Sequence, residues 1–404
     1  MGTTHVPGNS ATLQAIAAAF PGEKVAVFAE PSHLSELRRD PVLTGTAGIS
    51  FHSIELSAYF VGKHVVSLRR FFDELRILYS ALRSIHADEP CLIMFLSATS
   101  TAMIAASFML KLFRQRRLGV QVGLHGNLAE ITGWRTRNPI SRRFDLISAL
   151  KCDRPSRFRF LVLDEGIRSK MRAVLPAAAA KLDVLPLPIN VNEVQLEQPV
   201  RLTEPIKVGF VGLATESKGI DIFLRAATDL KKQLGQRMNF YHVGQVPACT
   251  EHAPFEILAE PVSTTPLQRS EFVRRLAQLH YVVLPYREGY YDLSASGALV
   301  DAITWRKPVI VMRRPFVERL FQEYGDIGYL CDDEAQLRAT LELVTACDQQ
   351  RYDRQVEALG RARESRMPFN LAKAYRELVM AGYPELFKAD RRHNAAASEV
   401  VRFS

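Results

Sequence analysis

Cysteine is scarce, with five in 404 residues (Cys91, Cys152, Cys249, Cys331 and Cys347). None stands in a Cys-x-x-Cys pair or at zinc-binding distance from a histidine, which excludes a disulfide-stapled scaffold and a zinc module and fits a reducing cytoplasm. The opening MGTTHVPGNSATLQ lacks the basic start and continuous apolar stretch of a secretion signal. Asp-x-Asp occurs nowhere, and neither does the Walker order or the spacing of a dinucleotide fingerprint. Repeats at solenoid or propeller periods are absent as well. Long runs that are both uncharged and mainly apolar are missing with one exception, CLIMFLSATSTAMIAASFML (91–110), which matches the length of a bilayer span. The hydroxyl cluster SATSTA divides it, so the expectation is a buried strand followed by a packed helix over MIAASFMLKLFRQRR.

What is present is ordinary globular material: 47% apolar and 24% charged residues, with 22 Gly and 21 Pro. The length suits two domains. Lys and Arg number 52 against 43 acids, a net charge of +9 that suits phosphate-bearing ligands, an anionic membrane surface or nucleic acid. No aromatic-interleaved basic patch or nucleic-acid module accompanies the charge, so nucleic acid is not expected as a partner. Arginine outnumbers lysine 39 to 13. That ratio suits phosphate recognition but follows equally from genomic base composition.

Short apolar runs alternate with helix-like segments from residue 24 onward, the pattern of an α/β sheet. In the first half the strand candidates are KVAVFA (24–29), GISFHSIEL (48–56), CLIMFLS (91–97), VQVGLHGN (120–127) and RFLVLDE (159–165). A proline-rich stretch, 181–205, reads as an interdomain linker, and the pattern then restarts. The second set is IKVGFVG (206–212), MNFYHVG (238–244), FEILAE (255–260), YVVLPY (281–286) and KPVIVM (307–312). Helices are expected over most of 335–383, with Pro368 as an interruption. The polar tail from 388 to 404 is expected to be poorly ordered.

Two segments carry candidate chemistry. In VGFVGLATESKGIDIFLRAA (208–227) a strand ends at Gly212, and Lys218-Gly219 opens a helix. Loop amides, the helix start and the Lys218 charge would attract phosphate. The same residues also fit a plain βα turn with a solvated lysine. In YVVLPYREGYYDLSASGALVDAITWRKPVIVM (281–312), Ser296-Gly297 starts a helix and leaves N–H groups open to an anion, and Asp301 one turn on could accept hydrogen bonds from a ribose. An ordinary capped helix with an exposed Asp would look alike. Both segments set an anion-attracting helix start at the C-terminal end of a strand, where open α/β sheets bind nucleotides.

Here the sequence resembles the retaining GT-B glycosyltransferases, the large family that includes bacterial mannosyl-, glucosyl-, lipopolysaccharide and exopolysaccharide sugar transferases. The likeness spans nearly the whole chain and is specific in the second half, through VGFVG...SKGID and LVDAITWRKPVIV. It implies two Rossmann-like domains facing a cleft: residues 1–190 for the acceptor, 200–367 for the nucleotide-sugar donor, and a helix over 368–383 returning to the first domain. It places donor diphosphate on Gly212 and Lys218, with Ser296 and Gly297 beneath it, and the ribose on Asp301. It implies a metal-independent hexosyl transfer from a nucleotide diphosphate sugar, UDP-sugar first, to a glycan or lipid-linked acceptor in cell-surface polysaccharide synthesis. No cofactor is called for.

Two departures stand out: Leu213 where the family has Arg, and Leu293 with Asp301 where it has two Glu. Glu288 or Asp292 could replace the missing acid and Arg287 the missing arginine; the two acids read equally as solvated loop residues. A catalytically weakened binding or scaffold protein is the alternative these departures raise. His125, with Gly126 and Asn127, ends a first-half strand at the expected cleft and could meet the transferred sugar or the acceptor, or cap the next helix. In MLKLFRQRR (109–117), apolar residues neighbour Lys111, Arg114, Arg116 and Arg117. That pattern suits either peripheral docking on an anionic membrane or a core helix ending in solvated cations.

Overall fold

The computed structural model describes residues 6–54, 67–83, 85, 89–114, 116–124, 128–131, 138–152, 155–194, 200–250 and 252–387. The expected disordered tail, 388–404, and His125, Gly126 and Asn127 lie outside them.

Eleven strands form three wholly parallel sheets among these residues. β1 (Val25–Ala29) pairs with β2 (Ile49–Ser53). A second sheet runs β3-β4-β5-β6, from Cys91–Phe95 through Leu118–Gly123 and Phe158–Val162 to Leu182–Val184. The third belongs to the second half and has the order β11-β10-β9-β7-β8, with β7 at Ile206–Val211, β8 at Met238–Val243, β9 at Tyr281–Leu284, β10 at Val309–Met312 and β11 at Gly328–Cys331. All four residues of β9 and of β10 are buried, because helices cover both faces of a parallel sheet and leave no polar side. The result is an α/β protein of GT-B type, with two Rossmann-like halves.

The uncharged run 91–110 divides as expected into β3 and a helix, Ser100–Leu112, which Thr99 caps by accepting from Ala102 N at 3.0 Å. No helix among the described residues is long and apolar enough to cross a membrane. This helix stops before the basic cluster, so Arg114, Arg116 and Arg117 lie beyond its end.

Two expectations fail. FEILAE is not a strand: Pro254 and Pro261 bracket it, Phe255–Ile257 forms a 3-10 turn, and Ala259 N donates to Phe240 O beside β8. The presumed linker begins with β6, whose Asp183 is buried and paired with Arg159 (2.6 and 2.8 Å); a charge in mid-strand hid it. Pro368 interrupts the helical run as expected: the helix Gln349–Ser365 ends before it, and it begins a new helix, Pro368–Gly382, since the first helical position needs no N–H donor.

That last helix packs on Val6–Ala19 against the first-half sheet. Tyr375 OH donates to Gln121 Oε1 and Tyr383 OH to Val120 O, each at 2.9 Å. The chain thus crosses between halves twice, before β7 and again near Arg366, where Ile189 N donates to Arg366 O at 3.0 Å.

Candidate functional site

β7 ends at Gly212, whose φ of 106° is open to glycine and strained for other residues. Its N–H donates to Val243 O and its carbonyl accepts from His242 Nε2, both at 2.8 Å. Burial holds His242 neutral, with its pKa pulled down to about 4. A 3-10 turn, Glu216–Lys218, then leads through Gly219 into the helix Ile220–Leu234. Gly219 has φ 81°, and a Cβ there would lie 2.0 Å from Pro285 O, so glycine lets this helix start press on the end of β9.

The turn folds Lys218 back over Gly212: a Cβ on Gly212 would sit 3.2 Å from the Lys218 Nζ. The ammonium has no hydrogen-bond or ion-pair partner among the described residues and lies 6.0 Å from the centre of the Tyr291 ring. Burial lowers its pKa, and the field of Asp301 works in the opposite direction.

Ser296 caps the helix Gly297–Thr304 by accepting from Leu299 N at 3.1 Å, and its buried hydroxyl also bonds Tyr286 OH at 2.6 Å. That side chain is therefore committed to the fold. The first two amides, at Gly297 and Ala298, are the groups left to face an anion. Gly297 is exposed, and a Cβ added to it would meet nothing within 4 Å.

Asp301 is not free. Its Oδ1 accepts from Arg269 Nη2 at 3.0 Å, and the same guanidinium grips Glu193 through Nε at 2.8 Å and Nη2 at 2.6 Å. Burial raises the Asp301 pKa while Arg269 pulls it back, and the two carboxylates overcome burial to raise that of Arg269. Glu193 and Arg269 escaped the sequence reading because nothing in the spacing of residues so far apart signals a pair.

The departures take definite places. Leu213 is 39% exposed on the loop, while Leu293 is only 5% exposed and is buried in the hydrophobic core of the first half. Arg287 donates from Nε to Glu216 O at 2.8 Å and from Nη2 to Asp221 Oδ2 at 2.6 Å, so it lies against the Lys218 turn. Asp292 accepts from Lys170 Nζ of the first half at 3.0 Å. Glu288 is exposed and contributes nothing to the cleft wall.

A cleft of about 720 Å³ separates the halves. Met94, Leu96, Gly123 and Leu124 bring the ends of β3 and β4 to one wall; Gly289–Ala295, Gly297 and Asp301 form the other. Gly212 and Lys218 are not on the wall, but Tyr291, beside the Lys218 ammonium, is. Among the described residues no group of three or more His, Cys, Asp or Glu gathers as a metal site.

A comparison with curated proteins finds no match. Among solved structures, a glycosyltransferase from Rickettsia africae is 11% identical with a TM-score of 0.64, over 96% of this chain and 98% of that one. Anabaena HepE in complex with UDP is 14% identical at a TM-score of 0.56, over 93% and 97%. The N-terminal domain of Candida albicans trehalose-6-phosphate phosphatase is 10% identical at 0.65, over 95% and 94%. At such identities the likeness is one of fold. Residues 205–346, the stretch that carries Gly212, Lys218, Gly297 and Asp301, match the family model of glycosyl transferases group 1, about a third of a chain that has a GT-B fold.

Proposed function

We propose that this protein transfers a hexose, with retention, from UDP-sugar to a glycan or lipid-linked acceptor held in the cleft. The observation that carries the reading is the half-buried Lys218 ammonium beyond the end of β7, without a partner among the described residues, in the field of Asp301 and within the residues matched by the family model. A desolvated cation of this kind is stabilised by an anion such as diphosphate. UDP is favoured because it is bound in the similarly folded Anabaena protein. Asp301 would receive the ribose and in doing so compete with Arg269.

Chemistry in such a site is positioning and charge stabilisation. The acceptor oxygen bonds to the sugar C1 as the C1–O bond to phosphate breaks, and the acceptor proton passes to the leaving phosphate. Lys218 and the Gly297 and Ala298 amides offset the charge that develops there, with Arg287 reinforcing the Lys218 turn in place of the missing arginine. We assign no protein nucleophile.

A cell-surface acceptor fits a basic, apolar face on the first half that would dock on an anionic membrane. Phe72 (59% exposed), Leu112 (60%), Phe108 and Tyr79 crop out of the packed helices Ser67–Arg83 and Ser100–Leu112 beside Lys111 and Arg114. Arg116 and Arg117 leave this face: Arg116 donates to Leu82 O, and Arg117 donates to Glu385 O (3.1 Å) and Leu386 O (2.6 Å) under the last helix.

The test is UDP release from UDP-glucose and UDP-N-acetylglucosamine, in water and with glycan acceptors. Release lost in Lys218→Ala supports transfer. UDP binding with no release from any donor would instead support the scaffold reading, which the buried Leu293 favours.

A further inference from the structure

A second cavity, about 340 Å³, lies behind the Tyr291 loop at the place where the chain crosses between halves. Its walls come from the first-half helix Glu165–Val174, from the second-half helices Gly297–Thr304 and Pro315–Tyr324, and from Leu187 and Arg366 on the two crossings. Most of the lining is apolar, including Leu163, Ile167, Leu187 and Phe316.

Its charges do not balance. Lys170 is paired with Asp292, and Arg319 with Asp164 at 2.6 Å, a carboxylate that also accepts from Gly166 N. Arg366 has no partner. It is 9% exposed, its guanidinium makes no hydrogen bond or ion pair among the described residues, and Nε is fully buried and unsatisfied. An arginine buried without a counter-charge is costly, and burial lowers its pKa despite the more distant Tyr324, Asp164 and Glu323.

We infer that this cavity, which shares the Tyr291–Ala295 loop with the cleft but holds none of Lys218, Gly297 and Asp301, is a binding site for a small carboxylate with an apolar body, held by Arg366. A planar guanidinium takes a carboxylate through two parallel hydrogen bonds, and the apolar walls accept the remainder. One anion would cancel the single unpaired charge. Because both halves and both crossings contribute walls, an occupant braces the present arrangement of the halves.

The experiment titrates the full chain with benzoate, with neutral benzamide and with inorganic phosphate by calorimetry, and titrates UDP separately. The expected result is saturable benzoate binding, at least tenfold tighter than benzamide or phosphate, lost in Arg366→Met while UDP binding persists. Ser169→Trp, a change on the exposed wall, fills the cavity without touching Arg366 and should also abolish benzoate binding if Arg366→Met fails to fold. Benzoate binding that survives in either folded variant overturns the proposal, as does equal binding of benzoate and benzamide or the absence of benzoate saturation. Phosphate binding more tightly than benzoate overturns the carboxylate assignment. Failure of UDP to bind bears only on the proposed transfer reaction, since benzoate is read independently.

Discussion

Two buried histidines hold the second-half sheet by staying neutral. His242 donates to Gly212 O, and His280 Nδ1 accepts from Lys207 N at 3.1 Å, a bond it can make only unprotonated. Both have pKa values pulled down to about 4 by burial, with nearby cations adding to the effect. In the unfolded chain they would titrate near 6.5, so between about 6.5 and 4 the unfolded state binds protons that the folded state refuses. Stability therefore falls as pH drops through that window, by at most about 1.4 kcal/mol per pH unit for each histidine. Urea unfolding followed from pH 7 to 4 should show a shallower fall for His242→Gln, whose amide can still donate to Gly212 O; an unchanged slope would remove His242 from the account. Asp301 yields a prediction of the same scale. If it receives the ribose, the parent binds UDP more tightly than 2′-deoxy-UDP, and Asp301→Asn narrows the gap. Equal affinities in the parent would leave Asp301 as an ion-pair partner of Arg269 alone.

At the scale of elements, the loop from Arg287 to Ala295 does what no motif suggested. Tyr291 takes a left-handed backbone, φ 67°, and packs edge-on against Tyr286 and Tyr290 with ring centres 4.8 and 4.5 Å away, while Leu293 anchors the loop in the opposite half. Residue 293 lies on the cleft wall, but its side chain is spent on packing into the first-half core. Leu293→Glu should cost roughly 2–5 kcal/mol of stability through lost packing and a buried charge, read as a lower thermal midpoint, and should not raise UDP release. A variant as stable as the parent and more active would show that the loop opens. The Ser100–Leu112 region offers a second element test. Changing Lys111 and Arg114 to Gln should abolish co-sedimentation with anionic vesicles at low salt and leave the fold intact, because neither side chain is tied down as Arg116 and Arg117 are. Binding that persists in this variant, or that is equal on neutral vesicles, would reject electrostatic docking.

For the whole molecule, the alternation of apolar runs with helical segments made the two parallel-sheet halves legible, because buried parallel strands are nearly continuous apolar runs. YVVL and VIVM declared themselves, whereas LDV with its ion-paired Asp183 and the short GYLC of β11 did not. Lys218, Gly297 and Asp301 could be picked out because each sits at a strand-to-helix turn, a local pattern. Glu193, Arg269 and Arg366 could not, since their significance lies in pairing, or failing to pair, across the crossings. Lys218 has no partner among the described residues, and we propose that a diphosphate belongs beside it. Calorimetric titration of UDP against uridine, for the parent and for Lys218→Ala, tests this most directly. A charge-assisted contact worth about 1.5–3 kcal/mol predicts that the parent prefers UDP by roughly 10- to 150-fold more than the variant does, with uridine affinity the same in both. Equal preference for UDP in parent and variant would contradict it.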